Sequence, residues 1–241
     1  MKTDSKVLGI LGGLGPAASV YFYDMLTTHT AATCDQDHLD IILSSRATTP
    51  DRTAYIVGDS DENPLDIMTE DAIRLQKFGA DLLVMPCNTA HYFYDSLRRA
   101  VSIPFLNIID VTVHRCVMQG AKKIGILATT GTIESMSYQR LCRKLNVAYA
   151  IPSHAGQETV MDIIYGSVKQ GKPISRPAFD SVSDELFRAG CDCMILGCTE
   201  LSLVKKQEIL DDRFVDSLEV LAYESIKSCG KNPIGFPFKD C

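Results

Sequence analysis

The chain has 241 residues, a hydrophobic fraction of 46%, a net charge of −6 and nine cysteines. That length fits one large domain or two small ones, with ample apolar content for a core. No apolar run approaches the roughly 18 residues of a membrane span, and no basic cluster offers a nucleic-acid surface, which argues against both as partners.

The opening Met1-Lys-Thr-Asp-Ser-Lys6 lacks a signal peptide's apolar stretch. Together with nine cysteines this predicts free thiols in a reducing, cytoplasmic setting. Val7–Leu11 reads as a buried strand, and Pro16 sits where a first helical residue belongs, so a helix is predicted over 17–30. Residues 40–44 read as a second strand. Residues 46–63 form a long connection, of the kind that serves as a lid or binding loop. A helix over 64–78 ends at Gly79, a strand covers 81–85, a helix 89–100, and a further strand 104–109 with a helix from Asp110.

The pattern then restarts, because Lys122-Lys-Ile-Gly-Ile-Leu-Ala128 repeats Ser5-Lys-Val-Leu-Gly-Ile-Leu11 nearly residue for residue. A Thr/Gly turn, a helix to about 145, a strand over 147–151, helices over 158–169 and 176–189, a strand over 191–196, a short strand near 213–216 and a helix over 217–227 complete it. Strands alternating with helices of this length predict βαβ units and parallel sheets. The fold class is therefore α/β with two pseudo-symmetric lobes, each a parallel sheet flanked by helices, and a site in the cleft between them, where strand carboxyl ends converge.

One segment is said twice. Gly79-Ala-Asp-Leu-Leu-Val-Met-Pro-Cys87-Asn-Thr89 and Gly190-Cys-Asp-Cys-Met-Ile-Leu-Gly-Cys198-Thr-Glu200 each run from glycine through an apolar strand to a cysteine and polar residues. The spacing exceeds the period of a solenoid repeat, so duplication of a whole lobe is the better reading. Each cysteine precedes a helix start, with Asn88 and Thr89 or Thr199 as capping types. The positive end of a helix favours thiolate, lowering a free-thiol pKa of about 8.5, and the same N–H groups can hold a carboxylate. Buried cysteines near turns are the plain alternative; recurrence at matched positions favours function. His91, one helical turn past Cys87, and Glu200, beside Cys198, are candidates to polarise the thiols or simply to pack.

Gly13-Leu-Gly15-Pro-Ala-Ala18 satisfies a dinucleotide fingerprint, but the next strand ends in Ser45-Arg46 rather than the acid that would hold a ribose. The preferred reading is a tight turn whose N–H groups, at Gly12 and Gly13, line the cleft, with Thr130 and Thr132 of the second copy supplying hydroxyls to a carboxylate. Arg52 and Lys169 are the cations available for a second carboxylate. No metal is expected: Cys191 and Cys193 are spaced C-x-C inside an apolar run, and no zinc-type Cys/His spacing exists. Cys34, Cys116, Cys142, Cys229 and Cys241 have no motif and read as small buried or tail residues.

Gly9-Ile-Leu-Gly-Gly-Leu-Gly-Pro16, Met85-Pro-Cys-Asn-Thr-Ala-His91 and Leu196-Gly-Cys-Thr-Glu200 resemble the cofactor-independent aspartate/glutamate racemase superfamily, the aspartate racemases in particular. The resemblance spans essentially the whole chain. It implies a catalytic Cys87/Cys198 pair, no cofactor, a small dicarboxylic amino acid as substrate and a homodimer. It also implies a first lobe of residues 1–112 plus 217–241 and a second of 113–216. Pro50-Asp-Arg-Thr53 is similar to the family loop whose arginine meets the side-chain carboxylate, and Val168-Lys169 to the segment supplying a lysine. Asn88, Thr89, Thr130, Thr132 and Thr199 sit where the family holds the α-carboxylate and ammonium. Glu200 and Gly12-Gly13 depart from the histidine and Asp-Ser of glutamate racemases, which points to aspartate. The alternatives are a non-catalytic dicarboxylate-binding protein and a maleate-type cis–trans isomerase.

Overall fold

The computed structural model describes residues 6–207 and 210–238; Cys241, expected in the tail, lies outside them. The first half contains strands β1 (Leu8–Gly12), β2 (Ile41–Ser45) and β3 (Leu82–Val84), in the order β2-β1-β3. The second contains β4 (Lys123–Ala128), β5 (Ala148–Ala150), β6 (Cys193–Gly197) and β7 (Phe214–Asp216), in the order β5-β4-β6-β7. All pairings are parallel. The restart seen in the sequence is therefore a structural repeat, with β1 and β4 at equivalent central positions. The buried strands read as near-continuous apolar runs because helices cover them on both faces.

The helices are α1 (Pro16–Thr28), α2 (Arg52–Val57), α3 (Leu65–Phe78), α4 (Tyr94–Ala100), α5 (Ile108–Met118), α6 (Thr130–Glu134), α7 (Ser137–Lys144), α8 (His154–Met161), α9 (Arg176–Arg188), α10 (Thr199–Gln207) and α11 (Ser217–Ser228). Helix α11 packs on α5 and α1, returning the chain to the first half. One buried cluster joins Leu8 and Ile10 of β1, Ile124 and Ile126 of β4, and Leu218 and Leu221 of α11. The two sheets are thus tied by a shared apolar core, each buried leucine contributing about 2 kcal/mol. Phe236 and Phe238 of the tail pack against the Tyr223 ring at 5.4 and 5.1 Å.

Four expected elements differ. The strand over 104–109 shrinks to one parallel bridge between Phe105 and Leu83, because the Asn107 side chain accepts from the Ile109 and Asp110 N–H groups and starts α5 early. The long connection 46–63 contains α2, capped by Asp51 Oδ1 on Ala54 N and ended by Gly58 at φ 84°. The helix over 89–100 opens with a 3-10 turn at Thr89–Phe93. The helix expected over 158–169 starts earlier, at His154, then widens into a π-helical turn over Asp162–Ser167 and tightens into a 3-10 turn over Val168–Gln170. Such irregular turns often mark functional segments.

Candidate active site

The carboxyl ends of β1, β3, β4 and β6 converge on one buried cavity of about 10 Å3, room for about a single water. Leu14 follows β1, Cys87, Asn88 and Thr89 follow β3, Thr129 follows β4, and Cys198, Thr199 and Glu200 follow β6. Asp51, Arg52 and Thr53 at the start of α2, and Tyr165 and Lys169 from the irregular turns, close the wall. Both cysteines are buried, at 6% and 5% exposure. Of the residues singled out in the sequence, Arg52, Cys87, Asn88, Thr89, Lys169, Cys198, Thr199 and Glu200 line this cavity; Gly12, Gly13, His91, Thr130 and Thr132 do not.

The second thiol is engaged with a carboxylate. Cys198 Sγ–H donates to Glu200 Oε2 at 2.9 Å, and Thr199 Oγ1 donates to the same oxygen at 3.3 Å. Burial, then the charge and hydrogen bond of Glu200, push the Cys198 thiol well above the ordinary thiol range, against the pull of Lys169. The expected lowering by a helix N-terminus is therefore reversed at Cys198 in this closed arrangement. Burial lowers the affinity of Lys169 for its proton, but Glu200, Tyr165, Cys198 and Asp51 outweigh it and leave its pKa raised.

The first cysteine is followed in the chain by Thr89, part of a hydroxyl cluster, and by His91, a neutral imidazole. Thr89 Oγ1 lies 2.8 Å from Thr129 Oγ1 and 3.0 Å from Thr132 Oγ1, a hydroxyl triad that joins the two halves. Thr132 thus supports Thr89 rather than facing the cavity, while the Thr130 hydroxyl faces Gln157 and lines another hollow. The Asn88 amide accepts from Tyr138 Oη at 2.6 Å and donates to Ser217 Oγ at 3.0 Å, which anchors the Cys87 loop to the second half and to α11.

His91 contacts the Cys87 carbonyl, not the thiol. Its Nε2 accepts from the Ile108 N–H at 3.1 Å, so Nδ1 carries the proton and donates to Cys87 O at 2.8 Å. Burial lowers its pKa from 6.5 to about 4. Between those two values the unfolded chain binds a proton that the native state refuses, so stability falls as pH drops from 6.5 toward 4. The loss amounts to about 3 kcal/mol at completion. An NMR titration of His91 is expected to show a neutral Nδ1–H tautomer down to about pH 4; titration near 6.5 would contradict this placement.

Arg52 is 8% exposed. Its Nη1 donates to the Thr49 and Pro50 carbonyls at 3.2 and 2.9 Å, and its Nη2 to the Leu14 carbonyl at 2.8 Å. The buried Nε has no partner, and among the described residues no carboxylate lies within ion-pair distance. Backbone carbonyls fix the guanidinium fork while leaving its charge uncompensated, the condition for binding a carboxylate.

The glycine turn after β1 borders the adjoining hollow, through Gly13 and Gly15, rather than the cysteine cavity itself. Gly13 N–H donates to Ser19 Oγ at 2.9 Å, inside the protein. A Cβ on Gly12 would stand 2.9 Å from Leu43 Cδ1 and Ser19 Oγ, and one on Gly15 would stand 2.9 Å from Glu200 Oε1. The turn thus admits close packing and the Glu200 carboxylate, an unfavourable neighbour for a phosphate. Sequence reading missed Leu14, Asp51, Thr53, Thr129 and Tyr165. Asp51 was readable as the N-cap of a helix opening at Arg52, and Tyr165 as the residue four before Lys169 on one helical face.

The fold and site define a two-lobed α/β protein with a paired-cysteine cavity where strand ends meet. The chain belongs to the Asp/Glu/Hydantoin racemase family, whose model matches residues 11–224. It is similar to the aspartate racemase of Picrophilus torridus, with a TM-score of 0.79 and 31% identity over 95% of this chain and 96% of that one. It is 29% identical over 230 residues to the broad specificity amino-acid racemase RacX of Bacillus subtilis (strain 168), covering 92% of this chain and 97% of that protein. The glutamate racemase of Aquifex pyrophilus is 29% identical over 201 residues, 76% of this chain and 77% of that one. Among the described residues no helix is long and apolar enough to cross a membrane.

Proposed function

We propose that the protein racemises a dicarboxylic amino acid, aspartate first, by a two-base mechanism in which Cys87 and Cys198 act on opposite faces of the α-carbon. The observation that carries this reading is that both cysteines, from equivalent strand ends of two repeated halves, line one cavity whose wall also holds the buried, uncompensated Arg52. One thiolate removes the α-proton; the other thiol delivers a proton to the opposite face of the planar carbanion, so each turnover exchanges the roles of the two sulfurs. Glu200 accepts the hydrogen bond of the Cys198 thiol and favours the protonated form, the one that the acid partner needs.

The α-proton is a very weak acid, so stabilising the developing enediolate does most of the work. Thr89 with its hydroxyl partners and the N–H groups opening α10 supply donors for it. Arg52 and Lys169 hold the side-chain carboxylate. The acting unit is a homodimer of two-lobed chains, with lobes 1–112 plus 217–241 and 113–216, except that the first boundary shifts to the end of α5, which runs unbroken over Ile108–Met118, and no cofactor takes part. Because the cavity holds about one water, substrate enters only as its walls part, and closure then excludes solvent.

Incubation of the protein with L-aspartate in D2O is the direct test. Racemised product carrying deuterium at the α-carbon, formed without added cofactor, is expected; no exchange with either aspartate or glutamate would remove the reading. Consumption of maleate in place of exchange would mark a cis–trans isomerase.

A further inference from the structure

The two cations of the cavity differ in how they are held. Lys169 Nζ sits 4.0 Å from the Tyr165 ring centroid and 3.9 Å from Asp51 Oδ2. The Tyr165 hydroxyl donates to the same carboxylate, at 3.2 Å to Oδ2 and 3.4 Å to Oδ1. Asp51 Oδ1 also accepts from Ala54 N at 2.9 Å, which fixes the carboxylate at the N-terminus of α2. Arg52, the next residue in the chain, donates its hydrogen bonds to backbone carbonyls instead.

Asp51 also stands at a passage. A second hollow of about 300 Å3 adjoins the cysteine cavity, and the walls common to both are Asp51, Arg52, Lys169 and Glu200. A molecule moving inward from the larger hollow meets the Asp51–Lys169 pair. The pair is partly exposed, at 38% and 27% of the side chains, so it is weak and exchangeable.

We propose that Asp51 is a specificity-determining residue: its carboxylate holds Lys169 and Tyr165 in the place that a substrate's side-chain carboxylate takes, so a dicarboxylic ligand binds by exchanging partners with Asp51. This rests on the racemase reading only for the identity of the substrate. The exchange has a directional consequence. The incoming carboxylate gains Lys169 only as Asp51 loses it, and Asp51 remains nearby as a like charge. Asp51 therefore weakens dicarboxylates and leaves ligands without a side-chain carboxylate almost untouched. It flattens the preference that Arg52 and Lys169 alone would impose.

The test is Asp51→Asn, which keeps a good N-cap for α2 while removing the charge, with Asp51→Ser as a second capping variant. Binding of succinate, which has two carboxylates, and propionate, which has one, is measured by calorimetry on the full chain. The dissociation constant of succinate is expected to fall about 3–10-fold in both variants, and that of propionate to change less than about twofold. The KM for aspartate is expected to fall with succinate. Unchanged succinate affinity in a folded variant would reduce Asp51 to a helix cap. Weaker succinate binding would mean that Asp51 helps to hold the ligand, and no succinate binding to either protein would remove the carboxylate site; each of these overturns the proposal. The racemase reading fails separately. A wild-type protein that never exchanges an α-proton, yet binds succinate less tightly than the Asp51→Asn variant, sinks that reading and leaves this one standing.

Discussion

Replacing either Cys87 or Cys198 by alanine is expected to lower two-way aspartate racemisation at least about 10³-fold. Inversion needs a base on one face and an acid on the other, and the cavity wall offers one thiol after β3 and one after β6. A single remaining sulfur can still remove a proton from its own face and return it there. Residual α-deuterium exchange in each single variant is therefore expected in one enantiomer only, and in opposite enantiomers for the two variants. The loss does not arise from unfolding, because Cys→Ala removes one small atom from a buried position and costs about 1 kcal/mol. Chiral chromatography with deuterium analysis by mass spectrometry reads both effects. Full activity in either variant would take that cysteine out of the mechanism.

Gly13→Ala is expected to destabilise the fold by at least about 3 kcal/mol, whereas Gly58→Ala costs about 1 kcal/mol. Both glycines have nearly the same left-handed backbone, φ 82° and 84°. Conformational strain is thus common to the two and cancels in the comparison. What differs is space: a Cβ on Gly13 would collide with the Arg46 backbone nitrogen and stand 2.6 Å from its carbonyl carbon, while one on Gly58 meets nothing within 4 Å. The neighbour is backbone, so it cannot turn aside as a side chain would. Moving Arg46 would also pull on its contact with Asp71 at 2.6 Å. Urea midpoints of the two variants decide this. Equal midpoints would mean that the strand β1 turn yields more easily than its contacts imply.

The architecture was largely legible because its signal is local. Short apolar runs alternating with amphipathic stretches give parallel α/β sheets, and the near-identity of 5–11 with 122–128 marks the repeat. Misreadings occurred where a side chain cut across the pattern: Asn107 converts a strand tail into a helix start, and Asp51 turns a presumed loop into α2. Of the candidate site, Cys87, Cys198, Arg52 and Lys169 were found from motifs. Thr129 and Tyr165 carry no motif and reach the cavity because β4 and the π-helical turn end there.

The linear order of residues was enough for the class of fold, the duplicated strand–cysteine unit and the glycine turn, since each depends on neighbours within a few positions. The protonation of the Cys198 thiol could not be read in that way. A helix N-terminus, which is visible in sequence, argues for thiolate, yet burial and the Glu200 carboxylate outweigh it. Those two influences exist only once the chain is packed and water is displaced, because the strength of a charge depends on the medium around it. Likewise, Gly15 leaves room for Glu200 and Asn88 reaches Ser217 only in the assembled molecule. Contacts between residues more than a hundred positions apart are made by packing, and no local pattern encodes them.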